Sequence, residues 1–137
     1  MSEHDKKRIL VVDDETTNIK IIKHCLCLDY NVSAVTDARE AVETAEELLP
    51  DLILLDIVMF EMDGYTVISK LKENKITKDI PVIFLTAKIS PEDETKGFNL
   101  GASDYIFKPF SADLLLRRVE MNLKLKDYER LLEEKGG

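Results

Sequence analysis

Five residues carry the chemistry open to this sequence: Asp13, Asp14, Asp56, Thr86 and Lys108. The first two are adjacent and follow four apolar residues, Ile9 to Val12, in the stretch KRILVVDDETTN. Side-by-side carboxylates at the end of a strand repel, so the position calls for a cation nearby. Asp56 ends the run DLILLD, Thr86 ends IPVIFLT and Lys108 ends DYIFK. An acid set with a hydroxyl and an ammonium suits Mg²⁺, which takes one or two carboxylates and keeps waters for a phosphoryl group. With a metal between Asp14 and Asp56, a carboxylate oxygen of Asp56 can attack phosphorus as a nucleophile. Lys108 and the metal then balance charge on the equatorial oxygens, which is most of what phosphoryl transfer asks of a protein. No histidine base is required: His4 is in the N-terminal tail, and His24 lies on the first helical pattern, away from the strand ends. Taken singly, an Asp after a strand is a turn former or helix cap, and a Lys is a solvated charge. The full set, at four strand ends, favours a site.

Those ends must be brought together by the fold. Residues 8–13, 30–35, 51–56, 80–86 and 104–108 are short apolar, β-branched or aromatic runs of strand length. The first, third and fourth are continuously apolar, as strands covered on both faces must be. Helical patterns separate them over 15–28, 37–49, 64–74 and 90–101, and a further one follows residue 110. Pro50 closes the second helix. The fourth is weakest in apolar spacing, with Gly97 inside it, but Ser90, Pro91 and the acids 92–94 make a strong start. Strands alternating with helices predict an α/β fold, a parallel sheet with helices on both faces. In such sheets the ligand site lies at the carboxyl ends of the strands, where strand order reverses.

Composition narrows the function classes. A chain of 137 residues, 45% hydrophobic, suffices for one domain with a real core. Its formal net charge of −8 argues against a nucleic-acid surface, which needs clustered Lys and Arg. No apolar stretch approaches the roughly 20 residues of a membrane span, and residues 1–8, MSEHDKKR, lack the apolar core of a secretory leader. A cytoplasmic location is therefore expected. Cys25 and Cys27, two apart on a helix, point to different faces and make neither a disulfide nor a metal pair. Cys25 reads as a small buried hydrophobe.

Four blocks in order, LVVDDE, DLILLDIVMFEMDGY, PVIFLTA and GASDYIFKPF, resemble the response-regulator receiver domain of two-component signalling, over about residues 7–125. The resemblance implies a flavodoxin-like, doubly wound five-stranded sheet of order 2-1-3-4-5. It implies Asp56 as phosphoacceptor, with Mg²⁺ held by Asp14 directly, by Asp13 through water, by Asp56 and by the backbone carbonyl of Val58. Thr86 resembles the switch hydroxyl and Tyr105 the aromatic that follows it inward. Thr86, Ala87 and Lys108 are the implied phosphate-binding positions, and Lys108-Pro109 is similar to the family's Lys-Pro pair with its cis bond. The implied partner is a sensor histidine kinase or a phosphotransfer protein, and the implied readout is the face of the fourth helix, fifth strand and fifth helix.

The pattern departs from the family's in one place. Phe60 stands where proline is usual, removing a ring that would stiffen the loop; it is expected to pack locally on the surface. Val58 offers no amide or acid to orient an attacking water, so a phosphoryl group is expected to persist, and Ala87 is small enough to leave it accessible. A haloacid-dehalogenase-type phosphatase would need an acid where Val58 stands, and space for a cap domain. A receiver-like module without phosphorylation would have lost part of the acid set. A dinucleotide binder would need glycines in the turn DDETTN.

Residues 1–123 read as the receiver domain and 124–137 as a helical extension or linker. Leu114, Arg118, Met121, Leu125, Tyr128 and Leu132 are spaced as a heptad seam, broken by Arg118. A helix reaching about residue 133 is expected, pairing with a second copy or leading to a downstream output domain.

Overall fold

A computed structural model of the chain describes residues 6–87 and 89–136; His4 and Gly137 lie outside them. The elements alternate without exception: β1 (Arg8–Val12), α1 (Thr16–Leu26), β2 (Asn31–Val35), a 3₁₀ turn (Ala38–Glu40) running into α2 (Ala41–Leu48), β3 (Leu52–Leu55), α3 (Gly64–Glu73), β4 (Val82–Ala87), α4 (Pro91–Asn99), β5 (Asp104–Lys108) and α5 (Ala112–Gly136). All pairings are parallel and the strand order is β2-β1-β3-β4-β5. Order reverses between β1 and β3, so the loops after these two strands open side by side.

Strand periodicity sorts the core into two layers. Ile9, Val11, Leu52, Leu54, Ile83, Leu85 and Ile106 face α1 and α5, meeting Ile19, Ile22, Leu26, Leu115, Val119 and Leu123. Leu10, Val12, Ile53, Leu55, Val82, Phe84 and Tyr105 face the other way, onto Ala41 and Ala45 of α2 and Val67, Ile68 and Leu71 of α3. Each fully buried aliphatic side chain contributes about 1.5–3 kcal/mol, so both layers hold the strand ends in register.

Local signals set the helix ends. The Asp63 carboxylate accepts from the Thr66 N–H at 2.9 Å to start α3, and the Ser90 hydroxyl accepts from the Asp93 N–H at 3.2 Å to start α4. Helix α2 stops at Leu49, which takes φ 48 in the left-handed region, because Pro50 disfavours a right-handed helical residue before it. Helix α1 ends two residues short of the predicted boundary, with Cys27 as its exposed cap and Cys25 half-buried against the α1–α5 layer.

Helix α5 passes residue 123 with no break. Its first half is anchored by Leu115, Val119 and Leu123 and by Arg118 donating to Asp104 at 2.9 Å. The Arg that interrupts the heptad is thus held by the start of β5. Beyond Leu123, Leu125, Tyr128, Leu131 and Leu132 are exposed, and Lys7 pairs with Asp127 at 3.0 Å. No described helix is long and apolar enough to cross a membrane.

Candidate functional site

The carboxylates meet at the carboxyl ends of β1 and β3. Ligand oxygens of Asp13, Asp14 and Asp56 lie within 4.8 Å of one another; Asp13 and Asp56 are buried and Asp14 is exposed. Opposite ligands of octahedral Mg²⁺, at about 2.1 Å each, stand about 4 Å apart. The three acids therefore stand close enough together to share such a cation, and all three donors are the hard oxygens it prefers.

Lys108, from the end of β5, reaches back across the sheet. Its Nζ lies 3.4 Å from Asp56 Oδ2 and 3.6 Å from Asp13 Oδ2. Asp13 is further held by the Glu15 N–H at 2.9 Å and by Asn18 Nδ2 at 3.3 Å. It thus also performs the ordinary role of a turn-forming aspartate at the start of α1. Burial pushes the Asp13 carboxyl above its usual range, and the charge of Asp56 adds to the rise against the opposing pull of the Glu15 amide and Lys108. The like-charge conflict deduced for Asp13 and Asp14 is felt, in the folded chain, mainly between Asp13 and Asp56.

The loop after β3 completes the rim. The Val58 side chain is exposed, and its N–H reaches Asp56 Oδ1 at 3.4 Å. Phe60 donates its backbone N–H to Asp14 Oδ2 at 2.8 Å, a bond that proline in this place could not make. Its ring is 77% exposed rather than packed locally; the amide, not the side chain, ties residue 60 to the fold. Glu61, at φ 66, pairs with Arg39 at 2.9 Å, and Arg39 also grips Asp37.

Thr86 and Ala87 end β4 beside these groups. Thr86 is buried, its hydroxyl makes no hydrogen bond to another described residue, and Ala87 is exposed. Tyr105 occupies the inward position: it is buried, and its hydroxyl donates to the carbonyls of Glu94 (3.0 Å) and Asp93 (3.3 Å) in α4. Its ring lies among Phe84, Phe98 and Phe107, with centroids 5.1–5.7 Å away. Burial pushes its phenol pKa up to about 12. The Lys108-Pro109 bond is cis.

Three contributors are not among the site residues read from the sequence. Gly64 starts α3 so close to β3 that a Cβ there would collide with the Asp56 carbonyl and lie 2.8 Å from Ile57 Cα. Gly97 leaves the space that Tyr105 fills. Tyr65 of α3 donates to the Asp93 carbonyl at 3.1 Å and lies under Lys96. A glycine inside a helical pattern is the one available signal, since such glycines commonly have a packing reason.

The profile described as response regulator receiver domain matches residues 9–120. The chain belongs to the response-regulator receiver family. Among curated relatives, this receiver is 46% identical over 132 residues to a probable cyclic di-GMP phosphodiesterase of Vibrio cholerae serotype O1, covering 96% of this chain and 30% of that protein. It is 39% identical over 119 residues to the alkaline phosphatase synthesis transcriptional regulatory protein PhoP of Bacillus subtilis, covering 86% of this chain and 49% of that protein. It thus spans less than half the length of either. Among solved structures it resembles the receiver domain of sensor histidine kinase PA1611 from Pseudomonas aeruginosa, at TM-score 0.79 and 31% identity, covering 87% of this chain and 98% of that one. That relative has a magnesium ion coordinated in its active-site cleft. The receiver family accounts for the strand order and the acid cluster together, and it makes this domain a phosphoaccepting signalling switch.

Proposed function

We propose that Asp56 is the residue that takes the phosphoryl group, and that Asp13, Asp14, Asp56 and the Val58 carbonyl hold Mg²⁺ beside it. The observation that carries this reading is the convergence of the three acids with Lys108, whose ammonium stands between Asp56 and Asp13. A carboxylate oxygen of Asp56 attacks phosphorus in line; the bond from phosphorus to the donor atom breaks, and that atom leaves with the electron pair. With a phosphohistidine donor on a sensor kinase or phosphotransfer protein, the leaving atom is an imidazole nitrogen. Lys108, the Thr86 hydroxyl and the Ala87 amide receive the phosphoryl oxygens. When bound, the metal offsets the negative charge on those oxygens.

The output runs through Thr86 and Tyr105. A hydrogen bond from Thr86 to a phosphoryl oxygen fixes the end of β4, and the inward Tyr105 ties β5 to the first turn of α4 through the Asp93 and Glu94 carbonyls. The face of α4, β5 and α5 is the readout. Residues 1–123 act as the switch, and 124–137 act as a helical extension that joins a second copy or an output domain. The relatives named above carry different outputs, so a receiver of this kind is an input module that more than one output can use. The domain supports its own phosphorylation and is not itself a metabolic enzyme.

The test is intact mass after incubation with Mg²⁺ and a small phosphodonor. One phosphoryl group should be gained, and chelation of Mg²⁺ or the change Asp56→Asn should abolish the gain. Undiminished labelling of Asp56→Asn would place the acceptor elsewhere.

A further inference from the structure

At the end of the sheet opposite the carboxylates lies a second polar cleft, of about 110 Å³. It opens between the last turn of α3, the residues preceding β4 and β5, and the middle of α5. Lys72, Lys78, Lys126 and Ser103 line it, with Asp79 and Glu129 also on its wall. Three ammonium groups against two carboxylates leave a local excess of one positive charge, in a chain whose formal net charge is −8.

The cations here are poorly compensated. Lys72 is partly buried and forms no ion pair among the described residues; its Nζ donates instead to the carbonyls of Lys78 (3.1 Å) and Ile80 (2.8 Å). An ammonium has three donors, so one remains. Burial, and next the charge of Lys126, push the Lys72 pKa down, with Asp79 opposing. Lys78 makes no ion pair among the described residues either, and Lys126 has only the half-exposed Glu129 at 3.5 Å. The Ser103 hydroxyl makes no hydrogen bond to another described residue. Asn122 is already committed, its amide nitrogen donating to Asp104 and to the Arg118 carbonyl. The stem of Lys72 passes close over Gly101, at φ 113, where an added Cβ would lie 3.0 Å from Lys72 Cγ. A partly buried, positioned cation with a spare donor and no acid at ion-pair distance costs stability unless an anion meets it.

We propose that this cleft binds a small oxyanion of phosphate or sulfate type, independently of the carboxylate site. The anion accepts from the third N–H of Lys72, from Lys126 and Lys78, and from the Ser103 hydroxyl. Space for several waters, each needing roughly 10–15 Å³ of such volume, matches one tetrahedral ion. Because the whole chain is acidic, long-range attraction does not assist, and contact alone supplies the affinity.

The test titrates inorganic phosphate, and separately sulfate, into the full chain carrying Asp56→Asn, without Mg²⁺, at constant ionic strength set with chloride. Backbone and lysine side-chain NMR should show saturable shifts at Lys72, Ser103 and Lys126, and a raised Lys72 pKa in the bound form. Lys126→Gln and Ser103→Ala leave the Lys72 bonds to the Lys78 and Ile80 carbonyls intact. Lys126→Gln should weaken binding about 10-fold, the scale of one charge-assisted hydrogen bond, and Ser103→Ala by less. Shifts that do not saturate, that are equal in Lys126→Gln and the parent, or that fall only around Lys108 would overturn the proposal.

Discussion

Tyr105 is seated in the space that a side chain on Gly97 would occupy: a methyl group there would overlap its hydroxyl and lie 2.9 Å from Cζ and 3.0 Å from Phe84 Cε2. The helix α4 and the strand β5 are therefore matched at one point, a missing side chain on the first and a long aromatic on the second. The hydroxyl bonds to Asp93 and Glu94 follow from that match.

Gly97→Ala should consequently destabilise the fold. At an exposed helix position the change would gain up to about 1 kcal/mol in helix propensity. Here overpacking should outweigh it and cost about 1–3 kcal/mol. Tyr105→Ala should relieve much of that cost, a coupling visible in a double-mutant cycle by denaturant unfolding. A more stable Gly97→Ala protein would show that Tyr105 does not sit under α4.

The same burial gives Tyr105 an alkaline signature. Its folded pKa of about 12 exceeds the unfolded tyrosine value of about 10. The folded state therefore holds the proton longer, and its contribution to stability is full below pH 10 and lost as pH rises from 10 to 12. Tyr105→Phe should flatten that decline between pH 10 and 12, read from the denaturant midpoint. An unchanged slope would contradict the assignment.

Asp13 and Asp14 should separate stability from metal binding. Burial raises the Asp13 pKa above 3.8, so its ionised form is a cost to the native state at neutral pH. Asp13→Asn should raise Tm at pH 7 when Mg²⁺ is absent. The gain should shrink as pH falls through the raised pKa, where Asp13 itself becomes neutral. Asp14→Asn should lower Mg²⁺ affinity by about 10-fold or more, the scale on which even outer partners of a metal act, and more than Asp13→Asn does. Calorimetric titration with Mg²⁺ ranks them, and an unaltered isotherm for Asp14→Asn would remove it from the site.

That the acid set is legible in the sequence, while the tyrosine seat is not, follows from range. A polar residue closing an apolar strand run marks a strand end by itself, and parallel βα alternation brings such ends together. Asp13, Asp56, Thr86 and Lys108 need nothing more. Ser90 and Asp63 likewise announce their helices through local capping chemistry. The Gly64 approach to the Asp56 carbonyl, the Gly97–Tyr105 fit and the Phe60 amide bond to Asp14 each depend on separate segments meeting at ångström precision. Periodicity carries no such information. Phe60 illustrates the difference: its ring is the visible feature in the sequence, and its N–H is the group that bonds.

The tail predicts an assembly. Leu125, Tyr128, Leu131 and Leu132 stand exposed beyond the last sheet-packed anchor of α5, Leu123, and a lone apolar stripe of that kind is marginal in water. Light scattering should find the chain dimerising with concentration, and removal of residues 124–137 should abolish the larger species. A parent monomeric at every concentration, phosphorylated or not, would leave the segment as a linker helix.

The central claim rests on a single oxygen of Asp56. An acyl phosphate is reduced by borohydride to an alcohol, so a phosphorylated aspartate becomes homoserine, which mass spectrometry locates in a peptide. After phosphodonor and Mg²⁺, homoserine should appear at position 56, and at neither 13 nor 14. Homoserine at position 13 or 14, or labelling that leaves position 56 unreduced, would contradict the account.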